Sequence, residues 1–183
     1  MKWIASLLLA VSLVTQVRAA DAPSVPPHIA AEIGSARLAG NGNYRWFGLK
    51  IYEAQLWVGK QGYDVQHPSL AAFALDLHYA RAFEGKKIAG KSAEEIEKLG
   101  LGSDEQRHRW LLQMETCFPN VEDGTHLTGI FEPGTGVRYY RDGKPICEIR
   151  DKDFALAFFA IWLDPHTLAK TLREALLNKA SAP

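Results

Sequence analysis

Apolar and polar residues alternate most cleanly over Phe73–Tyr79, where Phe73, Leu75, Leu77 and Tyr79 interleave with Ala74, Asp76 and His78. A period of two separates the two sets onto opposite faces. This predicts a strand with one side against a core and the other toward water. β-branched and aromatic residues also fill residues 36–38 and 44–58 around Gly40-Asn41-Gly42. That stretch predicts strands at about residues 35–47 and 49–58, with hairpin-turn chemistry at Gly40-Asn41-Gly42 and a bend or bulge at Gly48. Three further strands are expected at residues 126–131, 137–141 and 145–149, the last two joined at Asp142-Gly143.

Helical signals lie between and after these strands. Ser92-Ala93-Glu94-Glu95 and Ser103-Asp104-Glu105-Gln106 both have capping-box spacing, which predicts a helix start at each serine. Behind the second, Trp110, Leu111, Met114 and Phe118 recur at helical spacing, and Pro119 stops the run. Residues 154–163 (FALAFFAIWL) are apolar on every side, as a buried helix requires, and Asp164-Pro165 predicts the start of a last helix ending near Leu177. Residues 20–28, rich in proline, read as an extended lead-in. The pattern is α+β: an antiparallel sheet covered on one face by helices.

The N-terminus has a different character. Lys2 precedes an apolar run at residues 3–14, too short for the roughly 20 residues that span a bilayer, and Val17-Arg18-Ala19 offers a cleavage site. We expect a signal peptide at 1–19, with cleavage after Ala19 or, as the near alternative, Ala20. No cysteine follows the run to make a lipoprotein, and no later stretch is long enough to cross a membrane. The organisation expected is therefore signal peptide 1–19, lead-in 20–33, one domain 34–178 and a tail 179–183, with a soluble product that is periplasmic or secreted. In an oxidising compartment, Cys117 and Cys147 are either a disulfide or two buried free thiols.

Composition narrows the function classes. Lys and Arg number 21 against 21 Asp and Glu, so there is no basic field to attract nucleic acid. A nucleophile elbow and a dinucleotide fingerprint are both absent. The six histidines form no His-x-x-x-His pair, and Asp76 with His78 reads as a solvated strand edge, so neither a metal nor a cofactor is expected. What remains is a set of cations and phenols beside apolar strands: Arg37, Arg45, Tyr79, Arg81, Arg138, Tyr139 and Tyr140. An arginine in an aromatic pocket holds a carboxylate or phenolate bidentately. On the sheet surface the same arginines would snorkel and pair with acids.

Several segments in order resemble the exported bacterial branch of the chalcone isomerase-like proteins: residues 44–54 (YRWFGLKIYEA), 73–77 (FALDL), 92–95 (SAEE) and 158–163 (FFAIWL). The resemblance runs from about Ile33 to Leu177. It implies an open-faced sandwich, in a family whose plant enzymes cyclise chalcones to flavanones and whose other members bind fatty acids. By the same resemblance Arg37 is the counterpart of an arginine that faces the anionic part of the ligand, with Arg45 as fallback. The polar catalytic set is not matched: Phe47 stands for a threonine, Ile88 for a tyrosine, Glu95 for an asparagine, and Ala160 or Ile161 for a second threonine. Isoleucine cannot donate a hydrogen bond, and losing one preorganised donor costs about 10² to 10³ in rate.

The expectation is a non-catalytic protein that binds a small amphipathic anion, such as a fatty acid or an aromatic acid. Arg37 would hold the charge, Tyr79 and Arg81 would assist, and Phe158, Phe159 and Trp162 would form the wall. One alternative is an isomerase of the intramolecular lyase type acting on another substrate. The other is a structural interaction module whose pocket is filled by Trp46, Trp57, Phe158 and Trp162.

Overall fold

In the computed structural model, which describes residues 23–178 and Ala180, six strands pair antiparallel in chain order. They are β1 (Arg37–Trp46), β2 (Leu49–Val58), β3 (Phe73–Tyr79), β4 (His126–Glu132), β5 (Gly136–Arg141) and β6 (Lys144–Ile149). Every connection joins neighbours, so each strand's alternation has to serve the same two sheet faces. The helices are α1 (Pro27–Glu32), α2 (Gly85–Lys98), α3 (Asp104–Cys117), α4 (Lys152–Leu163) and α5 (Lys170–Leu176).

The larger core lies between one sheet face and α2 to α5. Leu56, Val58, Phe73, Leu75, Leu77, Phe131 and Tyr139 meet Phe154, Phe158, Phe159 and Trp162 there. α4 is central because it is apolar all round. Its cap, Asp151, accepts from the Asp153 and Phe154 N–H groups at 2.9 Å each and takes a third bond from Trp110 Nε1, also 2.9 Å, which ties α3 to the start of α4. Helix α3 begins at the expected capping box, with Ser103 and Gln106 exchanging bonds. At its other end Cys117 is joined to Cys147 of β6 by a disulfide, Cα atoms 5.7 Å apart.

A smaller core occupies the opposite face. Ile29 and Ile33 pack on Trp57, Ala74, Ile130 and Tyr140. Residues 27–32, expected to be extended, are therefore the helix α1, since Pro27 fits the first helical turn and the two isoleucines cover the sheet. The same packing makes β3 buried on both sides rather than half-buried, with Ala74 and Asp76 as enclosed as Leu75.

Three other expectations are corrected. Gly40-Asn41-Gly42 is not a turn but lies within β1, opposite Leu56, Gln55 and Ala54, and the chain reverses at Phe47-Gly48. The glycines are there because α5 lies on them: a Cβ on Gly40 would meet the Ala175 carbonyl oxygen at 2.1 Å. Helix α2 starts at Gly85, not Ser92; the Gly85 N–H is taken by Asn120 Oδ1 at 3.0 Å, and Ser92 sits mid-helix, donating to the Ile88 carbonyl at 2.9 Å. The last helix starts at Lys170, because Asp164 turns back to accept the His166 N–H at 2.7 Å and residues 164–169 form a loop.

The signal-peptide reading falls outside the described residues. Of the expected tail, Ala180 is described: it is buried and its carbonyl accepts the Tyr63 N–H at 2.6 Å. No described helix is long and apolar enough to cross a membrane.

Candidate ligand-binding cleft

Antiparallel register places Tyr44 opposite Tyr52, and Tyr52 opposite Tyr79. Three tyrosines from β1, β2 and β3 thus stand in a row on the face that carries the helices. Their rings touch in sequence, with centroids 5.1 Å apart for Tyr44 and Tyr52 and 5.7 Å for Tyr52 and Tyr79. Leu77 and Leu127 continue this floor, α4 supplies Phe158, Ile161 and Trp162 as one wall, and α2 supplies Ile88 and Ser92 as the other. Between them is a cleft of about 500 Å³, within the range of small-molecule sites.

The interior polar groups are few and face each other. Trp162 Nε1 donates to the Tyr52 hydroxyl at 3.0 Å. Burial pushes the Tyr52 and Tyr79 phenols upward, so both remain protonated. The charges sit at the rim on α2. Lys91 bridges Glu94 at 3.1 Å and Glu95 at 2.9 Å, and Lys87 meets Glu84 at 2.8 Å. Hydrogen bonding to Glu95 raises Lys91 further, so it stays protonated in a rim where Glu94 and Glu95 balance the two lining lysines. The remaining mouth is apolar: Trp46 on one side and Leu168 and Ala169 of the loop before α5 on the other.

The residues singled out from the sequence divide between this cleft and other places. Tyr79, Phe158 and Trp162 line it. Phe159 turns instead to the sheet, with its ring 4.8 Å from that of Phe73, and borders a second cavity of about 420 Å³ beside Tyr63 and Trp110. Arg81 is exposed and its Nε donates to the Lys50 carbonyl at 3.3 Å. Arg37 opens β1 opposite Val58, seven positions before Tyr44, which at ~3.3 Å per residue puts it about 23 Å along the strand from the tyrosine row. Arg45 donates to the Gly48 carbonyl at 3.0 Å in the hairpin.

Arg138 and Tyr140 belong to the opposite face, where both donate to Glu32 at 2.6 Å. Asp76 also faces that side and accepts from Thr128 and His126 at 2.6 Å each; among the described residues no group of three His, Cys, Asp or Glu is placed to hold a metal ion. Trp57 packs on α1, and Trp46 lies 60% exposed at the mouth, so these two do not fill the cleft.

Sequence reasoning missed Tyr44, Tyr52, Leu77 and the residues 167–169. The tyrosines become a group only through strand register, and the loop lines the cleft only because the last helix starts late. The one available signal was the tyrosine two places after Lys50, in a strand whose partner ends in Tyr79.

Comparison with known proteins gives the fold a context. The profile of a family described as chalcone isomerase-like matches residues 20–178. No curated protein matches the chain in sequence. Among solved structures, the chain is similar to a fatty-acid binding protein of Arabidopsis thaliana, with 13% identity over 80% of this chain and 89% of that one, and a TM-score of 0.60.

Proposed function

This chain belongs to the chalcone isomerase-like family, and we propose that within it the protein is an exported, non-catalytic binder of a small amphipathic anion such as a fatty acid or an aromatic acid. The observation that carries this reading is the cleft: an apolar chamber walled by Tyr52, Tyr79, Phe158 and Trp162, whose charged lining among the described residues, Lys87 and Lys91 with Glu94 and Glu95, is confined to the rim. An amphipathic anion matches that division of apolar interior and charged edge. The Arabidopsis protein of similar fold binds fatty acids, which is consistent with the assignment.

The chemistry of the lining favours binding over turnover. Ile88 has no proton to give, the buried phenols of Tyr52 and Tyr79 stay protonated, and Glu94 and Glu95 are engaged by Lys91. Among the described lining residues none stands ready as a general base near neutral pH. In this reading the N-terminal segment directs export to the periplasm or medium, and the mature chain begins at Ala20, or at Asp21 if the alternative site is used.

Native mass spectrometry of protein recovered from the exported fraction, followed by solvent extraction, tests the assignment and reads the mature N-terminus by mass. We expect a stoichiometric acidic lipid or aromatic acid. Ile88→Trp, which fills the cleft, should abolish it, and Lys87→Ala with Lys91→Ala should weaken it about fivefold, the modest effect of exposed charges. Loss in Arg37→Ala with retention in the double lysine variant would refute the rim anchor. Cyclisation of a 2′-hydroxychalcone by the purified protein would refute the non-catalytic reading.

A further inference from the structure

The β1–β2 hairpin breaks three local rules at one place. Its turn residue Phe47 has φ of 46°, a left-handed conformation suited to glycine or asparagine and disfavoured for a bulky side chain. That ring is also 87% exposed, stacked edge-on against Trp46 at 4.9 Å, with Leu49 paired to Trp46 across the turn and itself 49% exposed. Beside them Arg45 stands directly opposite Lys50, a like-charge cross-strand pair that a sheet ordinarily avoids. Arg81 adds a third cation, anchored on the Lys50 carbonyl. Lys50 meets Glu53 at 3.5 Å, on the side away from the turn. Local conflicts of this kind persist where something outside the fold repays them.

We propose that this hairpin tip docks on the surface of an anionic lipid bilayer. Trp46, Phe47 and Leu49 would enter the boundary between headgroups and acyl chains, while Arg45, Lys50 and Arg81 would meet the anionic headgroups. Tryptophan beside arginine and lysine is the composition that settles at that depth. With Leu168, 71% exposed across the mouth, the apolar tip amounts to roughly 500 Å² of ring and aliphatic surface, short of the ~800 Å² per partner of a stable protein interface. A bilayer needs no matching relief. Trp46 and Leu168 also line the cleft, so docking brings the cleft mouth against the lipid. The docking stands on the hairpin alone. Transfer of a lipid ligand between bilayer and cleft rests additionally on the function proposed above.

The test uses the protein recovered from the exported fraction, in which the proposed cleavage removes Trp3 with the apolar residues 3–14 and leaves Trp46 as the exposed indole while Trp57, Trp110 and Trp162 stay buried. Vesicles of two parts phosphatidylcholine to one part phosphatidylglycerol, with brominated acyl chains, should quench Trp46 and shift its emission to the blue. Phe47→Asn should lower partitioning about tenfold while leaving the melting temperature equal or higher, because asparagine accepts the turn and the lost apolar burial does not touch the fold. Arg45→Gln with Lys50→Gln should lower partitioning on these vesicles about thirtyfold and change it little on phosphatidylcholine alone. An unquenched Trp46, or Phe47→Asn partitioning like its parent, would overturn the proposal. So would emission that responds to protein concentration but not to vesicles, which would assign the tip to a second copy of the chain. Fatty-acid binding by Phe47→Asn, measured without vesicles, keeps failure of docking separate from failure of the cleft assignment.

Discussion

Replacing Gly40 by alanine tests why two glycines interrupt a strand. The added Cβ would lie 2.1 Å from the Ala175 carbonyl oxygen and 2.5 Å from that of Leu176, both backbone atoms of the last turn of α5. Carbon and oxygen come no closer than about 3.3 Å in ordinary contact, so the end of α5 must retreat by roughly 1 Å. Overpacking alone costs about 1–3 kcal/mol, toward the upper end when no side chain can rotate away. Retreat also loosens Leu172 and Leu176, both buried, whose full burial is worth ~1.5–3 kcal/mol each. Losing part of that, offset by about 0.4–1 kcal/mol from a less flexible unfolded chain, leaves a net loss near 3 kcal/mol. For a domain of this size that is a drop of about 6–12 °C in melting temperature. Gly42→Ala is the milder case: its Cβ meets the rotatable tip of the Leu172 side chain at 2.9 Å and the Ala175 methyl at 3.0 Å, which asks α5 to shift by only a few tenths of an ångström, and should cost about 1 kcal/mol. Urea unfolding of both variants measures the difference. Equal effects, or less than about 1 kcal/mol for Gly40→Ala, would refute the claim that α5 backbone contact dictates glycine here.

Other consequences are open to direct measurement. Cys147→Ser should cost about 3–4 kcal/mol on the chain-entropy scale, since the bridge closes a loop of 30 residues, and a reductant should destabilise the parent chain by a like amount in urea unfolding. His126 is raised from its ordinary value chiefly by its bond to Asp76, so its contribution is full below about pH 6.5 and fades as pH rises through the higher folded value. The melting-temperature gap between the parent chain and His126→Gln should therefore be larger at pH 5.5 than at pH 9, and a gap that widens with pH would contradict the sign. His28 is lowered, foremost by burial, and acts in the opposite sense, so His28→Asn should gain on the parent chain as pH falls below about 6.5.

Much of the architecture was legible because it rests on local signals. The capping box at Ser103, the all-apolar residues 154–163 and the Asp142-Gly143 turn each act within a few residues, and each element forms where its signal lies. The failures have one cause in common, a distant segment overriding the local cue. Gly40-Asn41-Gly42 looks like a turn because what demands glycine is α5, more than 130 residues away. Ser92 looks like a cap, but the packing of Gly85 beneath Phe118 and Pro119 starts the helix earlier. Asp76 looks solvent-facing until α1 and the His28–Thr128 bond cover it. Site residues suffer most from this, since Tyr44, Tyr52 and Tyr79 meet only once register is set.

The way the two sheet faces divide polarity also fixes which way a ligand enters. The face carrying α1 holds the ionic network of Asp76, His126, Glu32 and Arg138. Among the described residues the cleft face offers its interior phenols, an indole N–H and hydroxyls already used by the backbone, so a carboxylate buried there would meet two or three neutral donors and no counter-cation. Bonds to a charged acceptor contribute about 1.5–3 kcal/mol each, which does no more than offset a desolvation cost of several kcal/mol for an unpaired ion, a cost that a carboxylate left at the rim avoids. The charge must stay at the rim by Lys87 and Lys91 while the tail goes in. Across a series of fatty acids, affinity should then rise about fourfold per methylene, the value of ~0.8 kcal/mol for each one buried, until the cleft is full. Converting the carboxylate to its methyl ester should cost only a few-fold, because the rim pairs are exposed and worth about 0–1 kcal/mol. Calorimetry on the two series decides the matter. An ester that loses a hundredfold or more, with affinity insensitive to chain length, would mean that the charge lies inside and that the tyrosine row receives it.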